Sequence, residues 1–177
     1  MFLLETPRLV LREFTVDDLD AIAEIRSDPE VMRFVGPGEA RPRPPEDSRA
    51  LIAWIVGRYE ADGFGLWALT SPVQNGGRAM GFCGLLNQNV EGRPELEIAY
   101  TLGRPFWGKG FATEAAIAVR DHAVGGLGRT RLISLIYSGN AASIRVAGKV
   151  GMAHERDVPF MGNRVRLYAL EAGRPGR

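Results

Sequence analysis

The segment EIAYTLGRPFWGKGFATEA, from Glu97 to Ala115, is the most informative part of this chain. It begins as an apolar, strand-like run, continues with two glycines around a lysine, and ends in helix-forming residues. The first turn of a helix has unpaired N–H groups and a partial positive charge, so it attracts anions. Gly108 and Gly110 lack the Cβ atoms that would hinder an approaching oxyanion, and Lys109 adds positive charge. The segment therefore predicts a strand, a phosphate-binding loop and a helix, with a turn that binds nothing as the alternative.

Two well-known phosphate-binding motifs do not match this loop. A P-loop requires Ser or Thr directly after its lysine, whereas Gly110 follows Lys109. A dinucleotide-binding loop requires a third glycine at the position that Thr113 occupies. The spacing therefore excludes both a P-loop NTPase and a Rossmann-type dinucleotide site.

Hydrophobic periodicity divides the rest of the chain into strands and helices. Strands are predicted at residues 9–14, 64–71, 78–89, 95–102, 131–137, 152–160 and 164–170. Helices are predicted at residues 16–28 with Thr15 as N-cap, at 46–63, from Gly110 to the glycine-rich residues 124–128, and at 140–151. Residues 36–45 are rich in proline and are predicted to form a loop over a site, with a surface connection that has no function as the alternative. This order predicts a mixed α/β sheet in a single domain, residues 1–177, with an ordered core at about 8–170 and a frayed end at 171–177.

Composition excludes several classes of protein. The net charge of +1 over 177 residues gives no reason to expect nucleic acid or an anionic membrane as a partner. The chain begins without a signal peptide and has no run approaching the ~20 apolar residues of a membrane span, so a cytoplasmic location is expected. Cys83 is the single cysteine and lies in an apolar run, which predicts a buried, inert thiol. With only His122 and His154 beside it, a zinc site is hard to assemble, and we expect no metal.

The segment Glu97–Ala115, together with NAASIRVAGKVGM at residues 140–152, resembles the GNAT superfamily of acyl-CoA-dependent N-acetyltransferases. The similarity is greatest to the RimJ/RimL-like branch, which contains ribosomal-protein N-terminal acetyltransferases, and TPRLVLREFTVDD near the start resembles the opening of that branch. The resemblance implies a mixed, mostly antiparallel sheet with one splayed pair of strands, flanked by helices. It also implies acetyl-CoA as co-substrate.

The family's phosphate loop is written (Gln/Arg)-x-x-Gly-x-(Gly/Ala). Gly110 and Ala112 fill its last two positions, whereas Trp107 stands where Gln or Arg is usual. Since Trp107 has no charge, the resemblance implies that pyrophosphate is held by the backbone N–H groups of residues 108–113, with the Thr113 hydroxyl as an addition. The cofactor-binding residues implied at this loop are Trp107, Gly108, Lys109, Gly110, Phe111, Ala112 and Thr113.

The resemblance also implies a V-shaped gap between the strands that carry Tyr100 and Leu135. The pantetheine arm of acetyl-CoA would pair there with the backbone of Tyr100, Thr101 and Leu102, as an added strand does. Asn140, at the start of the next helix, would bind the cofactor and is also a good N-cap. Ser143 lies one helical turn further on, where it is either a surface residue or part of the catalytic site.

Acyl transfer to an amine needs a base for the ammonium group, a donor that polarises the thioester carbonyl, and a proton for the leaving thiolate. By resemblance Glu97 is the candidate general base, acting through a water, with Glu95 on the same face of the strand as the alternative. The alternative for either residue is a solvated glutamate on a strand that has no catalytic function. A backbone N–H at Tyr100 would polarise the carbonyl and Ser143 would protonate the thiolate. Cys83 is not needed, because the family's route is direct attack in a ternary complex.

The acceptor is left open by the sequence. A primary amine is expected, either at the N-terminus of a protein or on a small molecule such as an amino acid or an antibiotic. The proline-rich loop and the hairpin around DVPFMGNRV are the expected acceptor-contacting parts. Arg41 and Arg43 in that loop are either ligands for a carboxylate-bearing acceptor or, as we favour, solvated surface residues. A CoA-binding regulator without catalysis is the alternative from another class. A homodimer is compatible with this branch, although no sequence feature decides it.

Overall fold

The computed structural model describes residues 2–36 and 41–173. Within those ranges the chain forms eight strands and five α-helices. The strands are β1 (Leu3–Glu5), β2 (Val10–Arg12), β3 (Leu66–Thr70), β4 (Gly81–Val90), β5 (Arg93–Leu102), β6 (Arg131–Ile136), β7 (Ala153–Phe160) and β8 (Asn163–Glu171). The helices are α1 (Leu19–Ser27), α2 (Pro29–Met32), α3 (Pro45–Asp62), α4 (Phe111–Asp121) and α5 (Ala141–Val150).

All eight strands belong to one mixed sheet in the order β1-β2-β3-β4-β5-β6-β8-β7. Neighbouring strands are antiparallel except β5 and β6, which are parallel. Strands β4 and β5 pair along their whole length, whereas β5 and β6 pair only at Glu97 and Ile133. The two parallel strands therefore separate beyond Glu97, which confirms the splayed pair expected at Tyr100 and Leu135.

Helices cover both faces of this sheet. On one face, Ile98 of β5 shares a buried cluster with Ala115 and Val119 of α4. On the other face, Ala68 of β3 packs in a second cluster with Ile22 of α1 and residues of α3. Burying apolar side chains on both faces stabilises the sheet at roughly 25 cal/mol per Å² of apolar surface removed from water. Beside the gap, Ile133 of β6 packs on the second face with Val90 of β4 and with residues of β7 and β8.

The structure confirms the predicted elements and alters some of their ends. A 3-10 turn at Val16–Asp18 precedes α1, and α3 ends at Gly63, whose φ of +77° suits glycine. Strand β1 was not predicted, because three residues are too few to show a period.

The predicted chain end and proline-rich loop also need correction. Strand β8 includes Glu171, which contacts Arg131, so fraying from residue 171 is wrong; residues 174–177 lie outside the described residues. Within the predicted loop 36–45, residues 37–40 lie outside the described residues, and α3 already begins at Pro45.

Candidate active site

The side chain of Glu97 lies at the point where β5 and β6 separate. Its Oε1 accepts a hydrogen bond from the backbone N–H of Leu135 on β6 at 3.3 Å. Its Oε2 accepts one from Nε2 of Gln88 on β4 at 2.7 Å. Because the strands diverge here, the carboxylate takes the place of the backbone partner that the Leu135 N–H would otherwise find on β5.

Burial gives Glu97 the ionisation behaviour of a base that works near neutral pH. The residue is 8% exposed. Burial raises the pKa of Glu97 to about 7, although the hydrogen bonds from Gln88 and the Leu135 N–H oppose the rise. A carboxylate with such a pKa can accept a proton from an amine or from a water at neutral pH.

Glu95 is placed differently although it shares the strand face. Its Oε2 lies 3.0 Å from Nε of Arg131, and the same guanidinium also pairs with Glu155 and Glu171. Glu95 is therefore one member of an ion-pair network that ties β5, β6, β7 and β8 together. Glu97, in contrast, has no salt bridge within the described residues, which favours it over Glu95 as the candidate base.

The backbone of Tyr100 faces the gap. The carbonyl of Ile98 points toward β6, since it accepts a hydrogen bond from Oγ of Ser134 at 2.8 Å. Backbone groups alternate in direction along a strand, so the N–H and C=O of Tyr100 point to the same side as the Ile98 carbonyl. Gly103, by the same alternation, points to β4, where its N–H donates to the Met80 carbonyl at 2.9 Å. Thr101 shares that direction, so its backbone pairs with β4 and does not face the gap.

Tyr100, Asn140 and Ser143 meet at the start of α5. The Tyr100 hydroxyl donates to the Ser143 carbonyl at 3.2 Å, and burial raises the pKa of that hydroxyl. Oδ1 of Asn140 accepts from the Ser143 N–H at 3.1 Å, which confirms the predicted N-cap. The side chain of Ser143 also forms a hydrogen bond with the Tyr100 hydroxyl. Ser143 is partly exposed, so a ligand can reach this pair of hydroxyl groups.

Glu97 and Tyr100 place their side chains on opposite faces of the sheet, because they are three residues apart on one strand. Tyr100 packs on the face that carries α4 and α5. Glu97 faces the other side, with Leu135. The gap therefore has a carboxylate on one face and two hydroxyl groups on the other.

The glycine loop follows a 3-10 turn at Arg104–Phe106 and leads into α4. Gly108 and Gly110 have φ values of +74° and +83°, a region that side-chain-bearing residues rarely adopt. Gly110 is the N-cap, and a glycine brings no side-chain acceptor, so the first N–H groups of α4 stay available to an anion. A Cβ at Gly108 would meet nothing within 4 Å, as expected for a position that a ligand approaches.

Gly110 departs from the expectation in one respect. A Cβ added there would lie 3.4 Å from Nη2 of Arg8, so its missing side chain faces a protein cation and not an approaching anion. Glycine is required at this position for its positive φ.

Trp107 fastens the loop to the end of β5. Its Nε1–H donates to the Leu102 carbonyl at 2.8 Å, while the ring is 46% exposed. This hydrogen bond gives the uncharged Trp107 a structural role at the first position of the loop. The Leu102 carbonyl therefore already accepts a hydrogen bond, and the backbone of Thr101 pairs with β4. Of the three residues expected to bind the pantetheine arm, Tyr100 is the one whose N–H and C=O are both open to the gap.

The other predicted loop residues differ in exposure. Phe111 is buried in the cluster beneath α4, Ala112 and Thr113 are partly exposed, and Lys109 is exposed. Phe111 can therefore contact a ligand through its backbone N–H alone.

Arg8 and Glu114 lie next to the glycine loop, although no sequence motif pointed to either residue. Glu114 lies in the first turn of α4, and Nε and Nη2 of Arg8 both lie 2.6 Å from its Oε2. Nη1 of Arg8 also donates to the carbonyl of Lys109 at 3.0 Å. An acid in the first turn of a helix that is expected to bind an anion is the sequence signal for a nearby cation.

The parts expected to contact the acceptor come together on the face of Glu97. Tyr137, just after β6, donates through its hydroxyl to the carbonyl of Gly36 at 2.8 Å and has its ring centroid 6.2 Å from that of Phe34. The Tyr137 hydroxyl also interacts with Asn163 at the start of β8. Of the loop arginines, Arg41 is exposed and Arg43 donates its N–H to the Arg26 carbonyl at 3.0 Å.

Cys83 is fully buried, and burial raises the pKa of its thiol, which confirms the inert cysteine expected from the sequence. Among the described residues, no group of three or more His, Cys, Asp or Glu side chains could hold a metal ion. In the same ranges no helix has the length and apolar character needed to cross a membrane.

The chain matches the model of the acetyltransferase (GNAT) domain over residues 8–153. Since this match covers most of the chain, the protein belongs to the GNAT family and is an acyltransferase. The uncharacterised N-acetyltransferase p20 of Bacillus licheniformis is 29% identical over 158 residues, which cover 86% of this chain and 83% of that protein.

Solved structures share the fold over nearly their whole length. A GNAT-family acetyltransferase from Bacillus anthracis has a TM-score of 0.80 at 23% identity, covering 96% of this chain and 98% of that one. The RimL ribosomal L7/L12 alpha-N-protein acetyltransferase, in complex with coenzyme A, has a TM-score of 0.77 at 16% identity, covering 97% and 98%. These likenesses establish the mixed α/β fold with its splayed strands as that of GNAT acetyltransferases.

Proposed function

We propose that this acetyltransferase transfers the acetyl group of acetyl-CoA directly to a primary amine in a ternary complex, with the α-amine of a peptide as the first acceptor to test. One observation carries the proposal: Glu97 is a buried carboxylate whose pKa is about 7, and it stands where β5 and β6 separate. A carboxylate in that state is suited to take a proton from an ammonium group at neutral pH.

The residues around the gap fit acetyl-CoA. The C=O of Tyr100 can accept from an amide N–H of a pantetheine arm, which leaves the Tyr100 N–H for the thioester carbonyl, and Asn140 stands at the start of α5 beside the gap. The glycine loop presents the first N–H groups of α4 to a pyrophosphate, with Thr113 beside them. When bound, acetyl-CoA supplies an activated acetyl thioester.

The two faces of the gap suit two of the three proton transfers that the reaction needs. The third, the loss of the second nitrogen proton after the N–C bond has formed, goes to solvent. Glu97, through a water, removes a proton from the ammonium group, so that the nitrogen lone pair can form the new N–C bond. The Tyr100 N–H polarises the thioester carbonyl. As the C–S bond breaks, the Ser143 hydroxyl on the opposite face gives a proton to the sulfur and regains one from solvent.

The choice of a peptide α-amine rests on two lines of support. The first is the fold shared with RimL, an alpha-N-protein acetyltransferase, which agrees with the sequence resemblance to the RimJ/RimL-like branch. The second is the mouth on the Glu97 face, where Gly36, Tyr137 and Asn163 meet and an extended peptide could lie.

Release of free thiol from acetyl-CoA tests the proposal. Matched peptides with free and blocked N-termini would be compared with small amines and amino acids. Thiol release only with free N-termini supports a peptide acceptor. Release only with a small amine would move the acceptor to metabolites, and CoA binding without any release would leave a non-catalytic regulator.

The pH profile tests the role of Glu97. Because burial raises the pKa of Glu97 to about 7, its basic form is lost as the pH falls through that value. The wild-type rate should therefore fall below about pH 7, and Glu97→Gln should be slow at every pH and lack this limb. Glu95→Gln should keep the limb. If Glu95→Gln abolishes it and Glu97→Gln does not, the assignment of the base is wrong.

A further inference from the structure

The first turn of α4 contains a charge that is unexpected for an anion-binding helix. Glu114 lies there, four residues after the N-cap Gly110. A carboxylate near the N-terminus stabilises the helix itself through the helix dipole. It would also repel the pyrophosphate that the proposed function places at the same N-terminus, and the present inference rests on that function.

Glu114 is surrounded by donors that neutralise it. Its Oε2 lies 2.6 Å from both Nε and Nη2 of Arg8, and its Oε1 accepts from Oγ1 of Thr6 at 2.6 Å and from the Arg8 N–H at 3.0 Å. Burial opposes ionisation of Glu114, but these hydrogen bonds outweigh it and lower its pKa. The side chain is therefore an ionised, charge-compensated carboxylate.

The same guanidinium orients the glycine loop. Nη1 of Arg8 holds the Lys109 carbonyl at 3.0 Å, and its Cζ lies 4.7 Å from the centre of the Phe111 ring. The C=O and N–H of a trans peptide point in opposite directions, so holding the Lys109 carbonyl aims the Gly110 N–H away from Arg8. That N–H then points to the side from which an anion can approach.

We propose that Arg8 is a positioning residue for coenzyme A: it cancels the charge of Glu114 and fixes the peptide between Lys109 and Gly110. Arg8 thereby prevents Glu114 from adding negative charge to a loop whose first position, Trp107, provides no cation. Arg8 lies between β1 and β2, so the N-terminal segment contributes to a site formed by the second half of the chain.

The experiment uses a double-mutant cycle with coenzyme A as the probe. Binding to the full chain is measured by calorimetry for the wild type, Arg8→Gln, Glu114→Gln and the double variant, and urea unfolding of each unliganded protein is measured in parallel. The matched control is the pair Arg12 and Asp18, which is joined by two hydrogen bonds of 2.8 Å. Within residues 2–36 and 41–173, neither side chain forms a hydrogen bond or ion pair with the glycine loop.

Arg8→Gln should bind coenzyme A about tenfold to thirtyfold more weakly, because an uncompensated carboxylate then faces the anion. The loss should shrink at high salt, since the repulsion is screened. Glu114→Gln should bind at least as tightly as the wild type, and the double variant should return to within about threefold of it. All three variants should lose stability, and Arg12→Gln with Asp18→Asn should lose stability without loss of affinity.

Two results would overturn the inference. Unchanged affinity in Arg8→Gln would show that Arg8 does not support the loop. Weak binding in Arg8→Gln that Glu114→Gln fails to rescue would show that charge compensation is not the reason. If the wild type itself does not bind coenzyme A, the proposed function fails, and the inference fails with it.

Discussion

Substitution of Glu97 by Gln should make the stability of the unliganded protein less dependent on pH. The glutamine keeps the length of the side chain and an oxygen that can accept from the Leu135 N–H. Gln88 can rotate its amide so that its own oxygen faces the new NH₂ group. The substitution therefore removes the titration of residue 97 and leaves its hydrogen bonds close to their original form.

The magnitude follows from the pKa of Glu97. Burial displaces this pKa from 4.5 to about 7, and each pKa unit corresponds to about 1.36 kcal/mol. Because the folded pKa lies above the unfolded one, the folded state holds the extra proton between these two values. Stability is therefore lost as the pH rises through this window. The loss amounts to about 3 kcal/mol in all, with about 2 to 3 kcal/mol of it between about pH 5 and pH 8.

Urea unfolding curves at several pH values provide the measurement. The difference in free energy of unfolding between the wild type and Glu97→Gln should move by about 2 to 3 kcal/mol in favour of the variant as the pH rises, and then level off. Asp18→Asn is the control. Burial disfavours ionisation of Asp18, but the bonds from Arg12 and Thr15 outweigh it and lower the pKa, so Asp18 is ionised throughout this range. Its effect on stability should stay constant. A flat difference for Glu97→Gln would refute the buried, protonatable state of Glu97.

Four further substitutions at three positions test the loop and the start of α5. Trp107→Phe removes the donor to the Leu102 carbonyl and should weaken coenzyme A binding about threefold to tenfold by calorimetry, whereas full affinity would exclude a fastening role. Asn140→Ala should cost about 1 kcal/mol in urea unfolding, because the Ser143 N–H loses its cap. Asn140→Asp should be as stable as the wild type, because aspartate also caps the helix, but it should bind coenzyme A more weakly. If its affinity also equals that of the wild type, Asn140 acts as an N-cap and does not bind the cofactor. Gly110→Ala should cost about 1 to 2 kcal/mol at a φ of +83°, and an unaltered unfolding midpoint would contradict the strain.

The amino-acid sequence by itself determined the order of strands and helices and the glycine loop in front of α4. These features depend on neighbouring residues: the period of apolar side chains, Asn140 as a cap, and glycines at positions with positive φ. Short elements escape such patterns, which is why the three residues of β1 were not predicted.

The tertiary structure alone decided how the candidate site is connected. The sequence could not choose between Glu95 and Glu97 as the base, since both lie on one face of β5. Long-range contacts distinguish them: Glu95 forms a salt bridge with Arg131, whereas Glu97 is buried beside β6 and accepts from the Leu135 N–H. The sequence also could not show that Arg8 forms a salt bridge with Glu114. Charge pairing and desolvation depend on distances between residues far apart in the chain, and only the folded sheet sets those distances.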